Sequence, residues 1–126
     1  MAATNRRQIM ATATVKTITT GQLERKIRDD VGVHVWNVLT DEWFKGELIP
    51  GSRRVPLDQL DDAVRRSRVA KDASIVVYCA GTHCSASREA AQKLGELGYS
   101  NVEAFEGGLE DWKQAGHGVV GSGDNR

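Results

Sequence analysis

Residues Ser74–Ala91 read SIVVYCAGTHCSASREAA, and this stretch holds both cysteines of the chain, Cys79 and Cys84. It opens with the run Ile75–Tyr78, whose β-branched and aromatic side chains are typical of a parallel strand covered on both faces. From Ser87 onward, small and apolar residues recur at helical spacing. A thiol between the end of a strand and the start of a helix gains stabilisation of its thiolate from the helix dipole. The pattern therefore predicts chemistry at sulfur, with Cys79 as the reactive group and a lowered pKa.

Strand and helix patterns alternate on either side of this stretch. Further strands are predicted at Val15–Thr19, at Val33–Leu39, around Arg54 and at Val102–Phe105. Helices are predicted after Thr19, after Thr40 as a short piece, over Asp58–Arg68 and from Leu109. Alternation at such short intervals favours an α/β fold with a largely parallel sheet.

The length of 126 residues and the apolar fraction of 40% fit one compact domain. We place that domain at residues 14–118, between a flexible N-terminal segment at 1–13 and a flexible C-terminal tail at 119–126, because neither end shows sustained periodicity. The three tryptophans are predicted to pack in the core, with Trp43 or Phe44 as the alternative lining of a pocket mouth.

The net charge of the chain limits the kinds of partner that it would attract. Seventeen basic and seventeen acidic residues cancel, so no overall field attracts nucleic acid or an anionic membrane, and we predict neither as a partner. No apolar run approaches the roughly 20 residues that span a bilayer, and the amino terminus lacks a secretory pattern. These features predict a cytoplasmic protein whose thiols stay reduced. The oligomeric state is left open.

Four segments in fixed order resemble the rhodanese-like family of single-domain sulfurtransferases over roughly residues 14 to 118. They are Glu47–Ser52 with Val55-Pro56, then Cys79 at the active-site position, then Ala90–Leu94 with Gly98-Tyr99 and Asn101-Val102, and finally Glu106–Gly108 with Trp112. The resemblance implies a rhodanese-like α/β domain with a central, mainly parallel five-stranded sheet and helices on both faces.

The chain departs from the family pattern around the cysteine. The family loop Cys-x-x-Gly-x-Arg-Ser is about two residues longer here, with Ser87 on the family serine and Ala86 at the arginine position. The family's Asp-Val-Arg at the end of the second strand is Asn37-Val38-Leu39. Arg88 is the nearest guanidinium in sequence. The chain is therefore most similar to a variant subgroup with a Cys-x4-Cys loop.

The resemblance implies an enzyme like thiosulfate sulfurtransferase, which carries sulfane sulfur as a persulfide on Cys79. The sulfur would come from thiosulfate, a persulfide or a protein donor and pass to a thiol or to cyanide. We predict that backbone N–H groups of a curled loop, followed by a helix start, bind the anion in place of an arginine. The predicted substrate-binding residues of this loop are Ala80, Gly81, Thr82, His83, Cys84, Ser85 and Ala86.

Cys84 has three interpretations at this level: a resolving thiol for Cys79, a second sulfur carrier, or a small residue that fills the loop. His83 is a candidate proton donor at the rim, although an exposed loop histidine is commonly uninvolved. Zinc binding by Cys79, His83 and Cys84 lacks a fourth ligand, so we expect no metal and no other cofactor.

A second class of function remains open, a non-catalytic binding or redox-sensing module that uses Cys79 and Cys84. A cysteine phosphatase or arsenate reductase is disfavoured, because its loop needs an arginine where this chain has Ser85. The expected partner is a small sulfur-containing substrate or a sulfur-carrier protein.

Overall fold

The structure is a computed structural model that describes residues 15–30 and 32–121. In chain order its elements are α1 (Thr20–Asp29), β1 (His34–Asn37), β2 (Glu47–Leu48), β3 (Arg53–Arg54), a 3-10 turn (Leu57–Gln59), α2 (Leu60–Ser67), β4 (Ile75–Tyr78), α3 (Ala86–Glu96), β5 (Val102–Phe105), α4 (Gly108–Gln114) and β6 (Val120–Gly121). None of the described helices has the length and apolar character that crossing a bilayer requires.

A parallel sheet of four strands in the order β3-β1-β4-β5 forms the centre of the fold. All four residues of β4 are fully buried, as the continuous apolar run predicts. Ile75 and Val77 pack in a core cluster with residues of α2 and α3, whereas Val76 and Tyr78 pack in a second cluster with residues of α1 and α4. Helices therefore cover both faces, and the predicted fold class is confirmed.

The predicted fifth strand is where the sheet differs from expectation. Of Val15–Thr19, only Thr17 pairs with the sheet, through an isolated parallel bridge to Ala104. The segment stops pairing there because Thr19 is the N-cap of α1: its hydroxyl accepts from the Gln22 N–H, and the Gln22 side chain accepts from the Thr19 N–H. The sheet has four strands and one bridge rather than five strands.

Two further predictions are corrected. The segment after Thr40 forms a single turn, in which the Thr40 carbonyl accepts from the N–H groups of Trp43 and Phe44, and no helix follows. The predicted tail begins with residues that form β6, which pairs antiparallel with β2, and Val119 packs against the core. Residues 119–121 of the predicted tail thus belong to the described fold, while the predicted flexible segment at 1–13 and the rest of the predicted tail at 122–126 lie outside the described residues.

Tyr78, the last residue of β4, anchors a buried polar network that we call the Tyr78 cluster (Tyr78, Ser52, Ile49). The Ser52 hydroxyl donates to the Ile49 carbonyl at 2.7 Å and lies 2.7 Å from the Tyr78 hydroxyl, so Tyr78 donates to Ser52. The Ile49 N–H donates to the Tyr78 oxygen at 3.0 Å. Burial raises the pKa of Tyr78. The cluster holds the segment after β2 against the carboxyl end of β4.

Candidate active site

Cys79 follows β4 directly, and its side chain is fully buried. Its backbone is held by the start of α4, because the Leu109 N–H donates to the Cys79 carbonyl at 3.0 Å and the Glu110 N–H donates to the Ala80 carbonyl at 2.9 Å. The strand end and the first turn of α4 therefore form one unit beneath the thiol.

Gly108 permits this contact between α4 and the strand end. Its φ is +59°, and a Cβ there would lie 2.4 Å from the Cys79 carbonyl oxygen and 2.8 Å from the Ala80 carbonyl carbon. Both clashes are with backbone, which cannot move aside as a flexible side chain could. Only glycine meets both requirements at this position.

The Cys79 sulfur lies among groups that we call the thiol cluster (Cys79, Gly81, Cys84 and Ser87). The carbonyl oxygen of Cys84 is 3.4 Å from the sulfur, and that of Gly81 is 4.0 Å away, so both are positioned to accept from a thiol. Both cysteines are free thiols, and Cys84 is half-buried. In this state, the loop favours the protonated form of Cys79.

The pKa of Cys79 is raised to about 11, chiefly because burial penalises the thiolate and also because the Cys84 side chain disfavours it. The backbone N–H and the hydroxyl of Ser87 oppose the rise. The prediction of a lowered pKa is therefore wrong for this state. The physical reason is the full burial of the sulfur, and the Cys84 N–H does not offset it, because it donates to the Gly81 carbonyl at 3.1 Å.

Ser87, in the first turn of α3, is a site residue that the sequence analysis left out. Its side chain is fully buried, and its hydroxyl has no hydrogen-bond partner within the part of the chain that the structure describes. It lies near enough to lower the pKa of Cys79 but outside hydrogen-bond geometry with the sulfur. Its spacing to Ala90, Ala91 and Leu94 on the buried face of α3 was the signal that could have found it.

The other predicted loop residues divide into three groups. Ala80, Gly81, His83 and Cys84 line a cavity of about 360 Å³. Thr82 and Ser85 are exposed and line a second, smaller space with Arg88, which His83 and Cys84 also border, and the Ser85 hydroxyl donates to Glu89 at 2.7 Å. Ala86 packs against the core. The structure thus brings four of the seven predicted loop residues to the larger cavity, while the other three have different surroundings.

Arg88 does not replace the missing loop arginine. Its guanidinium forms a two-pronged ion pair with Glu106, at 2.8 and 3.0 Å. The charged groups that line the cavity beside the thiol are instead Lys45 and Glu110.

Trp43 and Leu39 form the outer wall of this cavity. Trp43 is 62% exposed, so its predicted core position is wrong and the alternative, the lining of a pocket mouth, is confirmed. Trp36 and Trp112 are buried as predicted. A smaller space of about 190 Å³ continues from the cavity toward the ion pair between Glu47 and Lys113.

Arg54 of β3 holds the turn that carries Trp43. Its side chain donates to the Leu39 carbonyl and to Asp41, at 2.7 Å from the latter, and its guanidinium lies 4.0 Å from the centre of the Phe44 ring. Only 18% of the Arg54 side chain is exposed, so these contacts are partly shielded from water. The outer wall is therefore fixed to the sheet by a charged, half-buried side chain.

No three His, Cys, Asp or Glu side chains converge to form a metal site within residues 15–30 and 32–121. In particular, Cys79, His83 and Cys84 do not form one.

The Rhodanese-like domain family matches residues 19–115. The crystal structure of the BH2092 protein from Bacillus halodurans superposes with a TM-score of 0.74 at 27% identity, covering 97% of this chain and 88% of that one. No curated protein matches the sequence significantly.

Two more distant structures share the fold. The Rhodanese-like domain of the Alr3790 protein from Anabaena sp. has a TM-score of 0.74 at 23% identity, covering 90% of this chain and 84% of that one. The thiosulfate sulfurtransferase from Pseudomonas aeruginosa has a TM-score of 0.74 at 24% identity, and the match covers 84% of this chain but only 20% of that enzyme.

Proposed function

The chain belongs to the rhodanese-like domain family, and from this premise we propose that it transfers sulfane sulfur through a persulfide on Cys79. The observation that supports the proposal best is the position of the Cys79 thiol. It is a fully buried nucleophile at the carboxyl end of the central strand, and the loop around it lines a cavity large enough for a small substrate.

The proposed transfer has two steps. The Cys79 sulfur attacks the outer sulfur of the donor, a sulfur–sulfur bond of the donor breaks, and the donor leaves as sulfite or as a thiol with its electron pair. A thiol or cyanide then attacks the outer sulfur of the Cys79 persulfide, and Cys79 leaves with the electron pair of that bond. No external oxidant or reductant is needed, because one sulfur atom moves between nucleophiles.

Ser87 is the proposed stabiliser of the charge that develops on the Cys79 sulfur. Its buried hydroxyl is without a partner in the described part of the chain, and its backbone N–H already favours the thiolate. A hydrogen bond to a charged acceptor is worth about 1.5–3 kcal/mol. Since the pKa of the thiol is raised to about 11 in this state, catalysis at neutral pH requires such donors to replace the carbonyls around the sulfur.

Cys84 is the proposed resolving thiol. Two observations support this role: the Cys84 carbonyl lies 3.4 Å from the Cys79 sulfur, and the two side chains interact. The same contact supports the second candidate function, a redox module in which peroxide oxidises the two thiols to a disulfide and is reduced to water. Either role requires reduced cysteines, so we propose the cytoplasm as the compartment.

Mass spectrometry of the intact protein tests the proposal. After treatment with thiosulfate or polysulfide, we expect a gain of one sulfur atom that maps to Cys79 and is removed by cyanide. Cys79→Ser should gain no sulfur, and Cys84→Ser should still load but hold its persulfide for a different time in the presence of thiols.

Two outcomes would contradict this assignment. If no donor adds sulfur and Cys79→Ser behaves like the unmodified protein, the catalytic proposal fails and the redox module remains. If loading requires Cys84 but not Cys79, the nucleophile is assigned to the wrong cysteine.

A further inference from the structure

The cavity beside the thiol carries one cation and one anion, and from this we infer that its sulfur donor is the persulfide of a free amino acid, a zwitterion held between Lys45 and Glu110. The inference rests on the proposed function, since it names the substrate class of the same site. Its ligand would have an ammonium group, a carboxylate and a short apolar arm that ends in the sulfur–sulfur bond.

The lining of the cavity carries charges of both signs. Lys45 and Glu110 line the cavity and also its narrower continuation. Within the described residues neither side chain forms an ion pair, whereas the nearby Glu47 and Lys113 neutralise each other at 2.9 Å. The formal charges of Lys45 and Glu110 sum to zero. Such a lining complements a zwitterion better than the dianion thiosulfate, which would meet Glu110 without a compensating arginine.

The anionic group of the lining, the Glu110 carboxylate, lies close to the loop around the thiol. The Glu110 side chain lies against Gly81, where a Cβ would approach the Glu110 carboxylate oxygen to 2.5 Å. The Glu110 backbone is fixed by its hydrogen bond to Ala80. A carboxylate is therefore held beside the residues that surround the Cys79 sulfur. It repels an anionic donor group there and attracts an ammonium group.

The shape of the cavity suits a small ligand with an apolar arm. Leu39 and Trp43 provide apolar walls, and the volume of about 360 Å³ lies at the small end of the range for small-molecule sites. Lys45 comes from the segment that follows the turn held by Arg54, whereas Glu110 belongs to α4. The site thus offers separate elements for the two charges and an apolar surface for the arm between them.

The transfer of sulfur from this donor to Cys79 conserves atoms, electrons and protons. The Cys79 sulfur attacks the terminal sulfur of the amino-acid persulfide, forming one sulfur–sulfur bond and breaking another. The amino-acid thiolate leaves with the electron pair and takes up the proton lost by Cys79. The products are the Cys79 persulfide and the free amino-acid thiol.

Single-turnover loading of the full chain with four donors tests the inference. The donors are L-cysteine persulfide, N-acetylcysteine persulfide without the ammonium charge, cysteine methyl ester persulfide without the carboxylate, and thiosulfate. We expect L-cysteine persulfide to load Cys79 fastest, by about twofold to fivefold over each persulfide that lacks one charge, since exposed charge pairs are worth up to about 1 kcal/mol.

Two variants assign each preference to one residue. Glu110→Gln should abolish the preference over N-acetylcysteine persulfide and leave the preference over the methyl ester. Lys45→Gln should do the reverse. Glu96→Gln and Lys16→Gln remove equal charges from exposed positions away from the cavity and should leave both preferences intact.

The failure of this inference is distinguishable from that of the proposed function. If all three persulfides load Cys79 equally, if thiosulfate loads it fastest, or if the two cavity variants leave the preferences unchanged, the zwitterion site is overturned while sulfur transfer stands. If no donor loads Cys79, the proposed function itself fails and the inference falls with it.

Discussion

Tyr78 and Cys79 are adjacent residues with fully buried side chains, but their polar groups are satisfied to different degrees. In the Tyr78 cluster, each hydroxyl has a hydrogen-bond partner at 2.7 to 3.0 Å. In the thiol cluster, the sulfur faces two carbonyls, and the nearby Ser87 hydroxyl has no hydrogen-bond partner within the described residues. One cluster is complete, and the other leaves a donor unused.

This difference in hydrogen bonding suits the Tyr78 cluster and the thiol cluster to different roles. Buried polar groups are normally paired, so a complete network stabilises one conformation of the backbone around it. An unpaired buried hydroxyl costs stability, and it is retained where the charge of a neighbour changes during function. The Tyr78 cluster therefore fixes the end of β4, while the thiol cluster is suited to a sulfur that alternates between neutral and anionic forms.

The most severe change breaks the backbone contact that the thiol cluster depends on. Gly108→Ala places a Cβ within 3 Å of the Cys79–Gly81 backbone at a positive φ. We expect the free energy of unfolding to fall by about 3 kcal/mol or more, because strain and overpacking add. Urea denaturation measures this effect.

Gly95→Ala on α3 is the matched control. A Cβ at Gly95 would have no neighbour within 4 Å, so alanine should stabilise the helix by about 0.5–1 kcal/mol. Equal stability of Gly108→Ala and the unmodified protein would show that the start of α4 does not support the thiol as described.

Alkaline pH tests the neutral state of Cys79. Since the folded pKa is raised from 9.0 to about 11, the buried thiol contributes stability below pH 9 that is lost as the pH rises through 11. The expected loss over this window is on the order of 2 kcal/mol. It is measured as the difference in pH dependence between the unmodified protein and Cys79→Ala, which also cancels the contribution of Tyr78.

An equal pH dependence of the two proteins would contradict the neutral state of the buried thiol. If the two proteins lose stability in parallel above pH 9, Cys79 is not held as a buried neutral thiol. The comparison between the two clusters would then lose its electrostatic basis.

Tyr78→Phe tests the complete cluster. The variant leaves the buried Ile49 N–H without its acceptor, so we expect the free energy of unfolding to fall by about 1–2 kcal/mol. Sulfur loading of Cys79 should persist at a similar rate, because the phenol does not contact the sulfur. A loss of loading without a loss of stability would place Tyr78 in the chemistry instead.

Ser87→Ala tests the incomplete cluster and should have the smallest effect on stability. Its hydroxyl has no hydrogen-bond partner to lose among the described residues, so the free energy of unfolding should change by less than about 0.5 kcal/mol. The rate of sulfur loading should fall about tenfold, which corresponds to a hydrogen bond to a charged sulfur. Ser87→Cys or Ser87→Thr would retain a donor and should recover part of the rate. A strong loss of stability in Ser87→Ala would identify the hydroxyl as structural.

The periodicity of apolar residues in the sequence was sufficient to predict the fold class. The apolar run of β4 and the spacing in α3 predicted elements that the structure contains, because burial on both faces leaves a pattern in the chain itself. The strand at Val15–Thr19 was too long, since the local capping box at Thr19 competes with pairing. The strand β6 was missed, because two residues carry no period.

The site was less predictable, and for a different reason. The position of Cys79 follows from the end of a strand, but the state of its thiol depends on how the loop turns its peptide groups. The cavity brings Lys45 and Glu110 together across 65 residues of chain, and no local pattern reports such a contact. Ser87 could have been found, because it interrupts an otherwise apolar helical face.

The two walls of the cavity are held by separate supports. The loop around the sulfur is supported by α4 through Gly108, and the wall with Trp43 is supported by β3 through Arg54. Substitution at Arg54 would change the width of the cavity and the choice of substrate while leaving the sulfur's surroundings intact. If the proposed transfer is right, the reactivity of the sulfur and the choice of donor can be adjusted independently, because each depends on a different support.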